Sequence, residues 1–216
     1  GPSRSCELVE SDADGRLIAL SSCSPETTGE QNVLLNVMNT KTAFLRSVLE
    51  NALAHGLSSF YGDVIRPNMH RFRIFVSYFD GWCAHINSLE TYFKRSMQLL
   101  QTSVRTDLIG RIERPVLTKV RNSAPTKYMP GAKVTSSLIA DGCVIEGTVE
   151  NSILFRGVKI AKGAKVSNCI LMQDTVIEEG AKLEYIITDK DVVVTAGKEL
   201  KGTDSYPVYI VKHGRV

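Results

Sequence analysis

The chain has 216 residues, 43% hydrophobic and 23% charged, the balance of a globular protein with room for one large domain or two small ones. Its 26 basic and 23 acidic side chains leave a net charge of +3, too slight and too scattered to argue for a nucleic-acid or anionic-membrane partner. No apolar run approaches the ~18 residues a membrane-spanning helix needs, and no charged-then-apolar leader opens the chain, so a cytoplasmic location is expected. Gly1-Pro2 has the form left by protease removal of a tag.

In chain order, Arg16–Leu20 and Val33–Met38 are strand candidates separated by the polar stretch Ser21–Gln31. Thr40 or Asn39 can cap a helix whose apolar stripe is Phe44, Leu45, Val48, Leu49, Ala52 and Leu53, ended by Gly56. Alternation of Phe72, Ile74, Val76 and Tyr78 predicts a strand over Arg71–Tyr78, and Trp82–Ile86 follows the Asp80-Gly81 turn as another. Asn87 with Glu90 suggests a capping box for a helix carrying Leu89, Phe93, Met97 and Leu100 on one side. A short helix at Asp107–Ile112 interrupts an otherwise patternless stretch containing Pro115. These readings divide the chain into a mixed α/β part at 1–100, a linker at 101–118 and a repetitive part at 119–216. With no Gly-rich phosphate loop and no β-α unit to organise it, the first part looks like a fold fragment.

The last part repeats with a period of six. One apolar ladder runs Val158, Ala164, Ile170, Val176; a second Leu154, Ile160, Val166, Met172; a third Leu171, Ile177, Leu183. Gly157 and Gly163 keep the same beat. Neither a helix nor an alternating strand has this period. A triangular coil does: each hexad gives one short strand and one corner, and inward aliphatics stack from turn to turn. The prediction is a parallel β-helix from about Ala132 to Gly202, with Tyr206–Lys212 as a final strand over its open end.

The five cysteines, Cys6, Cys23, Cys83, Cys143 and Cys169, are far apart with no C-x-x-C pair, so neither a zinc site nor a disulfide framework is expected. Hexapeptide coils often carry acyltransferases with a histidine base or zinc on coil histidines. Between Pro130 and Gly202 this chain has no histidine; His55, His70, His85 and His213 all lie outside. That sets the acyltransferase reading behind an assembly or scaffold role.

Four runs carry a resemblance: Val120-Arg-Asn-Ser-Ala-Pro-Thr-Lys-Tyr128, Ser137-Leu-Ile-Ala-Asp-Gly-Cys-Val-Ile-Glu-Gly147, Val149-Glu-Asn-Ser-Ile-Leu-Phe-Arg-Gly-Val158 and Ile170-Leu-Met-Gln173. They resemble the carboxy-terminal β-helix of bacterial ADP-glucose pyrophosphorylases, the glucose-1-phosphate adenylyltransferases of glycogen synthesis, and especially their second, non-catalytic subunit type. The likeness begins near Val33 and takes in Phe60-Tyr-Gly-Asp-Val-Ile-Arg-Pro67 and Gly81-Trp-Cys-Ala-His-Ile-Asn-Ser-Leu-Glu-Thr-Tyr-Phe93. It implies a mixed α/β fragment of a nucleotidyltransferase domain followed by a left-handed parallel β-helix.

The departures from the family pattern imply that this chain is not catalytic. Where catalytic members place the magnesium-holding Asp stands His85, and the Gly two positions on is Asn87; a hard cation prefers carboxylate oxygen. The sugar-phosphate motif falls on Ser21–Pro25 and the sugar contact on Val33-Leu34-Leu35, without the expected groups. His85 and Asn87 are thus vestigial positions. No catalytic residue, metal or cofactor is expected in the chain, and magnesium is expected only in a catalytic partner. Lys119, Arg121, Lys127, Arg156 and Lys159 are candidates for an anion or sugar-phosphate effector pocket. Expected partners are a catalytic adenylyltransferase subunit and a second copy, joined through the β-helix, with a homomeric scaffold as the alternative.

Overall fold

The computed structural model describes residues 7–22, 30–110, 113 and 115–216. Cys6, Cys23, residues 23–25 of the Ser21–Pro25 motif and residues 111–112 of the Asp107–Ile112 helix candidate lie outside the described residues. The chain divides into two compact units, Gly1–Asp80 and Gly81–Val216.

In the first unit β1 (Glu7–Ser11) and β2 (Leu17–Ser22) pair antiparallel through a turn at Gly15. Val33–Met38 is not a strand. Its chain touches β1 at one bridge, Leu8 to Val33, and Asn36 at φ 58° turns it away. Arg71–Tyr78 is extended only locally, with Leu17 N–H donating to Ile74 O at 2.9 Å and Val76 N–H to Gly15 O at 2.8 Å. The alternation is still correct about the face: Phe72, Ile74 and Val76 pack on Val9, Leu17, Leu20 and Ile65. Helix α1 (Thr42–Ala54) buries Val48 and Ala52. Its N-cap is Lys41 rather than Thr40 or Asn39, with no side-chain cap bond. Residues Phe60–Ile65 form a π-helical turn running into α2 (Arg66–Asn68). Asp63 accepts the N–H groups of Ser58 and Ser59 at 3.1 and 2.8 Å, which holds its carboxyl below the ordinary range.

In the second unit α3 (Leu89–Met97) starts one residue later than Asn87 predicts. Ser88 is the N-cap, accepting from Thr91 N–H at 3.1 Å while Thr91 Oγ1 accepts from Ser88 N–H at 3.0 Å. Trp82–Ile86 forms no strand; at its start Trp82 N–H bonds the Asp107 carboxylate and the indole N–H donates to Gln98 Oε1 at 3.3 Å. The following short helix, α4, spans Thr102–Leu108.

The rest is a parallel coil of three five-stranded sheets. Sheet one stacks β4 (Lys133–Thr135), β7 (Thr148–Glu150), β10 (Lys165–Ser167), β13 (Lys182–Glu184) and β16 (Glu199–Lys201). Sheet two stacks β5 (Leu138–Ile139), β8 (Ile153–Leu154), β11 (Ile170–Leu171), β14 (Ile186–Thr188) and β17 (Val208–Ile210). Sheet three stacks β3 (Lys127–Tyr128), β6 (Val144–Ile145), β9 (Lys159–Ile160), β12 (Val176–Ile177) and β15 (Val193–Val194). The predicted final strand, β17, is a rung of the coil pairing with β14, and Val216 and Gly214 extend sheet three beside Val193.

The register corrects the ladders. Val149, Val166, Leu183 and Leu200 stack at intervals of seventeen residues, not eighteen. The inward series is Leu154, Ile160, Val166, Leu171, Ile177, Leu183, Thr188 and Val194, with steps of six, six and then five. The short step falls at the corner where Asn151, Asn168 and Tyr185 take positive φ. A strict six therefore slips: Ile170 and Val176 of the first ladder and Met172 of the second are not in the interior stack. Ile170 instead lies on the outer face of sheet two with Ile153 and Ile187, covered by Phe93 of α3. This contact places 81–100 with the coil, so the compact unit begins at Gly81 rather than after the 101–118 stretch read as a linker. The three buried hydroxyls of the coil are satisfied: Thr175 and Thr188 share a hydrogen bond at 2.9 Å, and Ser152 donates to Glu150 O at 2.7 Å.

Candidate functional site

The coil presents three of the five basic candidates on neighbouring rungs. Lys127 of β3 and Lys159 of β9 occupy the same register row on the outer face of sheet three, with Val144 of β6 between them. Two strand spacings put these backbones about 9–10 Å apart, close enough for two flexible ammonium groups to reach one phosphate. Arg156 stands at the corner three residues before Lys159, half-buried, its carbonyl accepting from Asp174 N–H at 3.0 Å. Lys119 and Arg121 lie on an exposed stretch without regular secondary structure, and no ion pair or hydrogen bond ties them to the other three. Among the described residues none of the five side chains makes an ion pair or hydrogen bond. Such a cluster can attract an anion, and salt screens it where it is exposed.

His85 and Asn87 are both exposed on the approach to α3. Asn87 serves the helix start, its N–H donating to Thr91 Oγ1 at 3.1 Å and its side-chain oxygen accepting from that hydroxyl at 3.2 Å. His85 offers nitrogen where magnesium takes oxygen. Among the described residues no three His, Cys, Asp or Glu side chains group to hold a metal ion. These residues do not fit the metal.

The buried thiols are inert groups. Cys169 lies fully inside the coil and burial pushes its thiol up to about 12; burial also raises Cys143. Cys83 is exposed. No helix among the described residues is long and apolar enough to cross a membrane.

Sequence comparison agrees with the geometry of the coil. Residues 124–206 match the family model described as GlmU-like, C-terminal hexapeptide. The glycogen biosynthesis protein GlgD of Geobacillus stearothermophilus is 64% identical over 121 residues, 56% of this chain and 35% of that protein. The glucose-1-phosphate adenylyltransferase of the same organism is 37% identical over 120 residues, 55% of this chain and 30% of the relative. Over these stretches the chain is similar to both proteins. GlgD of Bacillus subtilis is 43% identical over 88 residues, covering 41% of this chain and 25% of that protein. The matched stretches span about a third of the curated GlgD and adenylyltransferase relatives or less.

Two features escaped the sequence reading. Phe93, read only as part of a helix stripe, is the residue that joins α3 to the coil; its signal was the run of outward isoleucines at Ile153, Ile170 and Ile187, one per turn. The charges of the last rung of sheet one form the other.

Proposed function

We propose that the chain is the carboxy-terminal part of a non-catalytic, regulatory-type subunit of glucose-1-phosphate adenylyltransferase, acting in glycogen biosynthesis in the cytoplasm. In this reading the coil is left-handed, the first unit is the remnant of a nucleotidyltransferase domain, and the protein assembles with a catalytic subunit through the β-helix. Sugar-phosphate effectors would be held by Arg156, Lys127 and Lys159, with Lys119 and Arg121 reaching in from the preceding stretch. The single observation that carries the proposal is the contrast of 64% identity to GlgD against 37% to the adenylyltransferase of one organism, over stretches of nearly equal length. His85 and Asn87 support it, because neither supplies the carboxylate that phosphoryl transfer needs for its metal.

Co-expression with a catalytic adenylyltransferase subunit tests the proposal. The two should co-purify as one assembly, whose response to a sugar phosphate weakens when Arg156 and Lys159 are both changed to Ala. Alone, with ATP, glucose-1-phosphate and magnesium, the chain should turn over no faster than a no-enzyme control. Failure to co-purify would favour the homomeric scaffold instead.

A further inference from the structure

The first unit holds a cleft of about 430 Å³ between the β1–β2 hairpin and the end of α2. The hairpin contributes Asp12 and Arg16, and the helix end contributes Arg66 and His70. The backbone that carries Arg16 is pinned. One Asp12 carboxylate oxygen accepts the N–H groups of Asp14 and Arg16 at 3.0 and 2.8 Å, and Asp12 N–H donates to Arg16 O at 3.0 Å. On the opposite wall Arg66 follows the buried Ile65 and ties α2 to β1 through Glu7.

The donors around this cleft are poorly used. Arg66 gives one amino group to Glu7 Oε2 at 2.5 Å, while its Nε is buried with no hydrogen-bond partner. A guanidinium has five N–H groups, and a buried donor left unmade is costly. Among the described residues the side chains of Arg16 and His70 make no ion pair or hydrogen bond. Glu7 offsets the charge of Arg66, and two backbone N–H groups partly satisfy Asp12, so Arg16 is the cation left without a counter-charge. The rest of the lining, Leu17, Ile18 and Met69, is apolar, and Ile18 is 55% exposed.

We propose that this cleft binds a small phosphate monoester, its phosphate held by Arg16, Arg66 and His70. A guanidinium fork matches the geometry of phosphate oxygens, and the imidazole adds a further N–H. The second Asp12 oxygen accepts from a hydroxyl on the body of the ester, and the strip of Leu17, Ile18 and Met69 takes its carbon atoms. Bare inorganic phosphate uses only the donors and meets the Asp12 carboxylate with nothing to offer it. An ester with a hydroxylated body therefore binds better than the free ion. The site lies wholly within the first unit and does not depend on the reading of Lys127, Arg156 and Lys159 as an effector pocket.

Titration of the whole chain with glycerol phosphate and with inorganic phosphate, followed through backbone amide resonances, tests it. Chloride at matched ionic strength is the control for screening. The amides of Arg16, Leu17, Met69 and His70 should shift and saturate, with glycerol phosphate binding several-fold more tightly than inorganic phosphate. Arg16→Gln should weaken glycerol phosphate binding about tenfold, the loss of one charged fork, and Arg16→Lys should restore only part of it. Neither Arg16 nor His70 has a side-chain partner to lose, so Arg16→Gln and His70→Gln should both melt with the parent. The Lys127→Ala/Lys159→Ala double variant should leave the titration unchanged. Shifts that chloride reproduces, or that persist in Arg16→Gln, overturn the site. Shifts confined to the coil also overturn it while leaving the effector reading standing, and glycerol phosphate binding no tighter than inorganic phosphate overturns the ester class.

Discussion

Val166 and Lys165 are neighbours with opposite fates, which makes them a sensitive pair for the register. Val166 is buried between Val149 and Leu183 in the interior stack, whereas Lys165 is exposed on the outer face. Val166→Asp puts an unpaired charge inside and should cost about 3–5 kcal/mol, enough to unfold or precipitate the unit. Lys165→Asp should stay within about 0.5 kcal/mol; equal melting temperatures for the two would mean the coil is wound in another register. Gly147 is constrained by space rather than by its φ, since a Cβ there would lie 2.4 Å from Ala164 O and 2.8 Å from Ala161 O. Cys169 yields a pH prediction. Its folded value, about 12, lies above the ordinary 9.0, so the unfolded thiol ionises first. Its contribution to stability is full below about pH 8.5 and is lost as pH rises toward 12. Cys169→Ala should flatten that alkaline fall in chemical denaturation. Labelling at pH 8 should modify Cys83 but reach Cys143 and Cys169 only in denaturant.

At the scale of elements, α3 and the outer face of sheet two depend on each other. Phe93 is 2% exposed over Ile153, Ile170 and Ile187, with Tyr185 tilted against it at a ring separation of 6.1 Å. Phe93→Ala should cost about 3–5 kcal/mol and expose three aliphatics of the coil; thermal unfolding with a hydrophobic dye reads both. No change in melting temperature would show that α3 is not held there. The coil itself was legible because stacked turns impose one period on every corner and every inward residue. The slip at Ile170 and Met172 was not legible, because an outward isoleucine under a helix and an inward isoleucine are equally apolar. Only the five-residue step at the Asn151, Asn168 and Tyr185 corner separates them. Short elements were harder to read: Trp82–Ile86 has a strand's composition, but the Trp82 N–H is taken by the Asp107 carboxylate and its indole by Gln98 rather than by a neighbouring strand. Of the basic candidates, Lys127 and Lys159 fall in one register row, because the coil's period converts sequence separation into adjacency. Lys119 and Arg121 precede the first rung and have no such period to place them.

For the whole molecule the coil's end decides how it behaves in solution. A solenoid leaves its last turn with backbone groups that no further turn pairs, and proteins cover or charge such edges. Tyr206–Lys212 does not lie across the end as a lid. It enters the coil, β17 pairing with β14, and Gly214–Val216 continues along Val193–Thr195 with three backbone hydrogen bonds of 2.8–3.1 Å. Ile210 and Val216 thereby pack on the interior cluster. Removing residues 204–216 therefore strips one strand from sheet two, the extension from sheet three and the aliphatics covering Ile186 and Val194. β14 and β15 would become raw, uncharged edges, since Ile186-Ile187-Thr188 and Val193-Val194 carry no ionised side chain to discourage pairing. The β16 edge, with Glu199 and Lys201, remains. The truncated protein should thus lose its defined state and aggregate rather than fall apart to a clean monomer. Light scattering at tens of micromolar, before and after the deletion, measures this. An unchanged, monodisperse particle would show that the tail contributes nothing to closing the coil, and that β14 and β15 are covered by another part of the chain.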